Sequence, residues 1–245
     1  MSESSNESSP LLVLLPGMDG TGVMFGPFVE ALGSGLATQV VRYPAALSSY
    51  AACTHFVRTQ LPRDRPFLLL GESFSGPVAI ALAAEQPAGL RGLVLCGTFA
   101  RNPRPALGWL AGPVGLLPVR HLPLPLLRFL LLGRWATAPL MALARAMMAG
   151  IPGTTMKARL LAVMKVDHTA LLADIRVPVL ALCASQDRLV PKAATRWIRV
   201  HLPNLDIVTL QGPHWLLQAR PDAAAQAITA FLGRLPQEDP RHTER

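Results

Sequence analysis

Charge, aromatic rings and cysteine are all scarce in this chain of 245 residues, and each scarcity rules something out. Only 16% of the residues are charged and 6% aromatic. The three cysteines, Cys53, Cys96 and Cys183, lie far apart with no Cys-x-x-Cys pair. That count and spacing argue against a disulfide framework or a zinc site, and leave small buried thiols as the reading. None of the six histidines forms a His-x-x-x-His pair or falls beside a cysteine, so no metal and no cofactor is expected. The apolar runs never approach the ~18 residues of a membrane span, because the greasiest stretch is broken by Pro113, Pro118, Pro123 and Pro125. Met1 to Pro10 is rich in serine, lacks any basic residue and reads as a disordered tail, and Leu11 to Leu15 is too short for a signal-peptide core, so no signal peptide is expected. A soluble, cytoplasmic protein is the expectation.

What the chain does have is apolar mass, at 51% of residues, delivered in short bursts. Six runs rich in Val, Leu and Ile recur: Leu11–Leu15, Thr38–Tyr43, Pro66–Leu70, Leu90–Cys96, Val177–Cys183 and Leu205–Leu210. Unbroken apolar runs suit strands covered on both faces, whereas alternation would suit a half-exposed sheet. Helical stretches separate them: Phe25–Leu32, Tyr50–Gln60, Pro77–Glu85, Lys192–Leu202 and Ala223–Leu232. Strand–helix alternation with short links predicts an α/β fold, a mostly parallel, doubly wound sheet of six strands. The rhythm breaks once. Residues 101–169 hold no convincing strand and read as an inserted helical lid, with helices over Leu107–Leu117, Leu124–Leu132, Pro139–Ala149 and Thr155–Val166. The expected division is therefore a disordered tail over 1–10, a core over 11–100 and 170–233, the lid over 101–169, and a frayed end over 234–245.

The same insertion holds nine basic side chains and one acid, Asp167, a surplus equal to the net charge of +8 on the whole chain. Two readings stay open. The charges are the solvated face of amphipathic helices, or they dock an acidic carrier protein or an anionic lipid surface. Nucleic acid is not expected, since no aromatics interleave the basic residues and no nucleic-acid motif is present.

Chemistry concentrates in four segments. Leu15-Pro16-Gly17-Met18-Asp19-Gly20-Thr21-Gly22 follows the first apolar run, and its glycines allow backbone to approach a ligand. It lacks the Gly-Lys-Ser/Thr ending of a Walker loop and the G-x-G-x-x-G spacing of a dinucleotide site. Gly71-Glu72-Ser73-Phe74-Ser75-Gly76 joins an apolar run to a helix, the setting of a nucleophile elbow, in which small residues two before and two after a serine permit a tight, strained turn. Ser73 is preferred to Ser75 as nucleophile, because Ser75 would need a small residue at Pro77 and itself fills the small position after Ser73. Asp187 lies just past the fifth run, in Ala184-Ser185-Gln186-Asp187-Arg188-Leu189-Val190-Pro191, where a carboxylate in a fixed loop can orient an imidazole. His214 lies just past the sixth, in Gln211-Gly212-Pro213-His214-Trp215, and is the one histidine on a short loop at the predicted top of the sheet.

The order Ser73, Asp187, His214 resembles that of the α/β-hydrolase family, over about Leu11 to Leu232. Within it the chain is similar to small, lid-bearing bacterial carboxylesterases of the pimeloyl-carrier-protein methyl ester esterase type. Two features depart from the family pattern: Pro16-Gly17 stands where His-Gly is usual, and Ser75 where glycine is common. Nothing before Leu11 corresponds to the family's first two strands. The resemblance implies a serine esterase for small to medium acyl chains, with Ser73, Asp187 and His214 catalytic and the N–H groups of Met18 and Phe74 as the oxyanion hole. It implies an acyl site walled by the insertion, for which Trp109, Phe129 and Trp215 are the candidates, with Trp135, Met141, Met147 and Met148 as further wall residues. Packing of the inserted helices against one another explains the insertion residues equally well. The Pro-Gly-Met-Asp-Gly-Thr-Gly loop also resembles plastid acyltransferases of the same superfamily. Acyl transfer, thioester cleavage and a non-catalytic binding module are the alternatives.

Overall fold

Alternate side chains of the central strands bury themselves on opposite faces, and that divides the interior in two. The computed structural model describes residues 10–106 and 124–236. Six strands, β1 (Leu11–Leu15), β2 (Thr38–Val40), β3 (Phe67–Glu72), β4 (Leu90–Cys96), β5 (Val179–Ala184) and β6 (Leu205–Leu210), form one sheet in the order β2-β1-β3-β4-β5-β6. Every neighbouring pair is parallel. Val13, Leu15, Leu69, Leu93 and Val179 face one side, where helices α2 (Tyr50–Gln60) and α3 (Gly76–Ala84) cover them. Leu12, Leu14, Leu68, Leu70, Val94 and Leu180 face the other, against Phe28 of α1 (Gly26–Leu32) and Ile228 and Phe231 further along the chain. This is the three-layer arrangement that continuous apolar strands require.

Three strands depart from their apolar runs, and the fifth is shifted along its run to Val179–Ala184. Extended pairing of β2 ends at Val40, although Val41 still bonds the Leu14 carbonyl at 3.0 Å. β3 runs on to Glu72, because pairing with β4 continues up to the turn.

Between β4 and β5 three helices are described: α4 (Leu124–Leu131), α5 (Ala138–Ala149) and α6 (Gly153–Lys165). Thr137 caps α5 by accepting the Leu140 N–H, and Pro139 sits in its first turn. The two ends of the inserted stretch run antiparallel. Asn102 N–H donates to the Val166 carbonyl at 2.9 Å and His168 N–H to the Ala100 carbonyl at 2.8 Å. Leu132, Leu140, Ala144 and Met147 share a third cluster with Met24 and Trp215, so the insertion's core is continuous with loops of the main body. The expected helix over Leu107–Leu117, Trp109, the tail over 1–9 and the end beyond residue 236 lie outside the described residues.

Three further helices complete the body: α7 (Lys192–His201), the four-residue α8 (Leu216–Ala219), absent from the sequence reading, and α9 (Pro221–Leu232). Leu235, at the start of the segment expected to fray, packs against the second core cluster near Gly92 and Phe231. Among the described residues no helix is long and apolar enough to cross a membrane.

Candidate active site

The carboxyl ends of β1, β3, β5 and β6 carry four loops to one rim, and the reversal of strand order between β1 and β3 opens a crevice there. Met18 follows β1, Ser73 follows β3, Asp187 follows β5 and His214 follows β6.

The turn at Ser73 is built from close approaches. Its φ of 50° is the left-handed conformation that a non-glycine residue adopts at a cost of ~1–3 kcal/mol. Gly71 is obligatory in this packing, since a Cβ there would lie 2.7 Å from the Ser75 carbonyl and 2.8 Å from the Ala79 Cβ. On the far side the tight position is Gly76, where a Cβ would collide with Thr98. Thr98 in turn donates its hydroxyl proton to the Ser73 carbonyl. Ser75 is wholly buried and does more than stay small: its hydroxyl bonds the Pro16 carbonyl and lies 2.7 Å from the Tyr43 hydroxyl. A serine in place of glycine thus ties the elbow to the loop after β1.

Ser73, His214 and Asp187 meet in line. The Ser73 Oγ lies 2.9 Å from His214 Nε2, and His214 Nδ1 lies 2.8 Å from Asp187 Oδ2. A carboxylate facing Nδ1 holds the proton there and leaves Nε2 free to accept from the serine. Asp187 is itself fixed, its Oδ1 accepting the N–H groups of Leu189 and Val190, both at 2.8 Å. The loops carrying the acid and the imidazole are stitched by Gln186 N–H to the Gly212 carbonyl at 3.0 Å. Burial disfavours protonation of His214 and is the largest single influence. The charge and hydrogen bond of Asp187, with Glu72 added, outweigh it, and the net shift is upward.

Two apolar clefts open from this line. The first is walled by Phe99, Pro103, Val163, Met164 and Val190. The second is walled by Met24, Leu131, Met147, Met148, Met156 and Trp215. Both reach Met18, Ser73, Leu160, Leu189 and His214, so they join at the serine. Phe74 is fully buried, its ring stacked on Tyr50 at 4.8 Å.

Several expected wall residues land elsewhere. Phe129 does not enter either cleft. It is 56% exposed, and the Arg188 guanidinium lies 4.4 Å from its ring centre. Helical spacing gives the reason: Leu127, Leu130 and Leu131 share the inner face of α4, and Phe129 falls on the outer one. Trp135 donates its indole N–H to Gln186 at 3.0 Å and serves packing. Trp215, Met147 and Met148 do line the second cleft, while Met141 belongs to the third core cluster beside it.

A polar corner was missed. Asp19, Glu72 and Gln218 border the second cleft, and all three are buried. Gln218 Nε2 donates to Glu72 at 2.9 Å. Burial, with the charge of Asp19 adding to it, pushes the Glu72 carboxyl up to about 7. The one sequence signal for it was a carboxylate at the end of an otherwise apolar strand.

Comparison with known proteins bears on the same region. The model of the Alpha/beta hydrolase family matches residues 12–227. By sequence the chain is 28% identical, over 96% of its own length and 95% of the other's, to RutD of Azorhizobium caulinodans, described as a carbamate hydrolase. It is 33% identical over 86 residues to the chloroplastic phytyl ester synthase 1 of Arabidopsis thaliana, a match spanning 32% of this chain and 12% of that protein. The backbone superposes on a lipase-esterase related protein from Clostridium acetobutylicum with a TM-score of 0.77 at 18% identity, over 92% of this chain and 96% of that one. With a family match over most of its length and the same fold in that structure, the chain belongs to the alpha/beta hydrolase family.

Proposed function

We propose that this protein is a serine hydrolase of carboxylic esters that works through an acyl-enzyme on Ser73. The observation that carries the proposal is the unbroken line from the Ser73 hydroxyl through both His214 nitrogens to Asp187, at 2.9 and 2.8 Å. His214 takes the serine proton as Oγ attacks the ester carbonyl, and Asp187 holds the imidazole in the required tautomer and stabilises the imidazolium. The carbonyl oxygen becomes an anion facing the N–H groups of Met18 and Phe74, each worth roughly 3–4 kcal/mol in the transition state. His214 then protonates the departing alcohol. It next activates water against the acyl-enzyme, and the acid leaves.

The two apolar clefts meeting at Ser73 favour an ester with an apolar group on each side of the scissile bond. They also favour a second reading, acyl transfer, in which an apolar alcohol occupies one cleft and replaces water. The 86-residue similarity to a protein named as an ester synthase supports that option. The carrier-protein methyl ester type of esterase is a narrower form of the first reading.

The test is hydrolysis of p-nitrophenyl esters of graded chain length by wild type and Ser73→Ala, alongside fluorophosphonate labelling. We expect kcat to fall by at least about 10⁴-fold in the variant, with labelling lost. An unchanged rate removes the mechanism, and a folded wild type that neither hydrolyses esters nor takes the label is a binding module. Ester formation from an added long-chain alcohol, in preference to hydrolysis, selects acyl transfer.

A further inference from the structure

Arg159 lies on α6, among the basic residues that the sequence offered as surface charge, yet it is completely buried. Among the described residues no carboxylate forms an ion pair with it. Its donors go to main-chain carbonyls of two loops of the main body: Nη1 to Met18 at 2.9 Å, Nε and Nη2 to Leu47 at 3.0 and 2.7 Å, and Nη2 to Pro44 at 3.4 Å. Thr155, one turn earlier, donates to the Ala45 carbonyl at 2.8 Å, so the start of the helix is fastened to the same loop. The guanidinium carbon stands 5.5 Å from the Tyr43 ring centre and 5.8 Å from that of Phe74. Gly20 makes room for it: φ there is 73°, and an added Cβ would collide with Nη1. The loop is held from below as well, through Tyr43 N–H to the Gly20 carbonyl at 2.8 Å and Ser75 to the Pro16 carbonyl.

From this we infer that Arg159 is a positioning residue for the oxyanion loop, and that it couples the loop's geometry to the helix walling both clefts. The inference rests on the esterase reading above. The carbonyl of Met18 and its N–H belong to consecutive peptide planes, so fixing one restricts where the other can aim. An oxyanion donor contributes only if it points at the developing charge without having to reorganise. A guanidinium suits this because its planar fork reaches several carbonyls at once, whereas an ammonium on a flexible stem does not. Met156, Leu160, Val163 and Met164 lie on the same helix and contact the clefts. Filling a cleft therefore presses on the element that holds the loop, and the substrate's apolar chains are felt in kcat and not in binding alone.

The test uses Arg159→Lys, which keeps the charge and stem, and Gly20→Ala, which crowds the guanidinium from the loop side. The deciding readout is the ratio of inhibition by a trifluoromethyl ketone, which adds Ser73 to form an oxyanion, to inhibition by the matching secondary alcohol, which cannot. A loss of folded protein lowers rates but leaves that ratio unchanged. We expect the ketone to weaken by at least 30-fold (about 2 kcal/mol) in each variant and the alcohol by less than 3-fold. The kcat should fall in step with the ketone, and its rise with acyl chain length should flatten. Amide hydrogen exchange should quicken within residues 17–22 and 44–47 while the sheet stays protected. A parallel loss of both inhibitors, or a ratio unchanged from wild type, overturns the positioning role. Should wild type form no adduct with the ketone at all, the esterase reading fails, and unchanged exchange at 17–22 in Arg159→Lys would then separately refute the clamp.

Discussion

Glu72 sits one residue before the proposed nucleophile with its carboxyl buried, and the energetic consequence has a definite sign. Its folded pKa of about 7 lies above the ordinary value of 4.5. Between those values the folded chain binds a proton that the unfolded chain has released, so stability falls as pH rises through that window and stays lower above it. The gap is worth on the order of 3 kcal/mol. Glu72→Gln has the shape of the neutral acid and carries no charge to desolvate. By differential scanning calorimetry it should match wild type near pH 4.5 and exceed it by roughly 6–12 °C at pH 8. Equal melting temperatures at both pH values would mean the carboxyl is not strained by burial. The residue scale also shows what local motifs convey: Ser73, Asp187 and His214 announce themselves because strand-end loops of small residues have few other uses. Arg159 gave no such sign and Glu72 only its place at the end of an apolar strand, since a charged residue looks solvated until its neighbours in space are known.

Among elements, the inserted helices supply walls of both clefts that meet at the serine. The face of α4 turned inward is set by the i, i+3, i+4 spacing of Leu127, Leu130 and Leu131, and α6 supplies the partition shared by both clefts through Leu160. If each cleft takes one half of an ester, narrowing one should change preference for that half alone. Met164→Trp narrows the first and Met148→Trp the second. With a pair of isomeric esters, one long in acyl and short in alcohol and the other reversed, each variant should lose at least about 10-fold in kcat/KM on one isomer and stay within 3-fold on the other. Loss of the same isomer in both variants would mean that the chains share a single path. The helices themselves were legible from apolar spacing and proline starts. Their inner faces were not, because Phe129 is as apolar as its neighbours and only packing assigned it to the outside.

Across the whole molecule, the basic surplus is less of a surface than composition implied. Arg159 is interior, and the half-buried Arg101 lies over the Trp197 ring with 3.2 Å to its centre. Arg128, Arg134 and Arg145 remain exposed. If these receive an acidic carrier, Arg128→Glu with Arg134→Glu should slow cleavage of a carrier-bound ester by roughly 10-fold at low salt and leave a free methyl ester unaffected, with the difference fading as salt rises. Equal slowing of both substrates would remove the docking role.

The order and composition of the segments determined the sheet, its parallel sense, the tight turn at Ser73 and the chain order of Ser73, Asp187 and His214, because each depends on residues near one another in the chain and on rules of connection that leave few alternatives. The join between the insertion and the loop after β1, the two clefts and the outward turn of Phe129 were decided only by the tertiary structure. Those features arise where segments distant in the chain press together, as Phe129 and Arg188 do across 59 positions and Met18 and Arg159 across 141. Whether a guanidinium meets water or four carbonyl contacts depends on that meeting, to which no local pattern points.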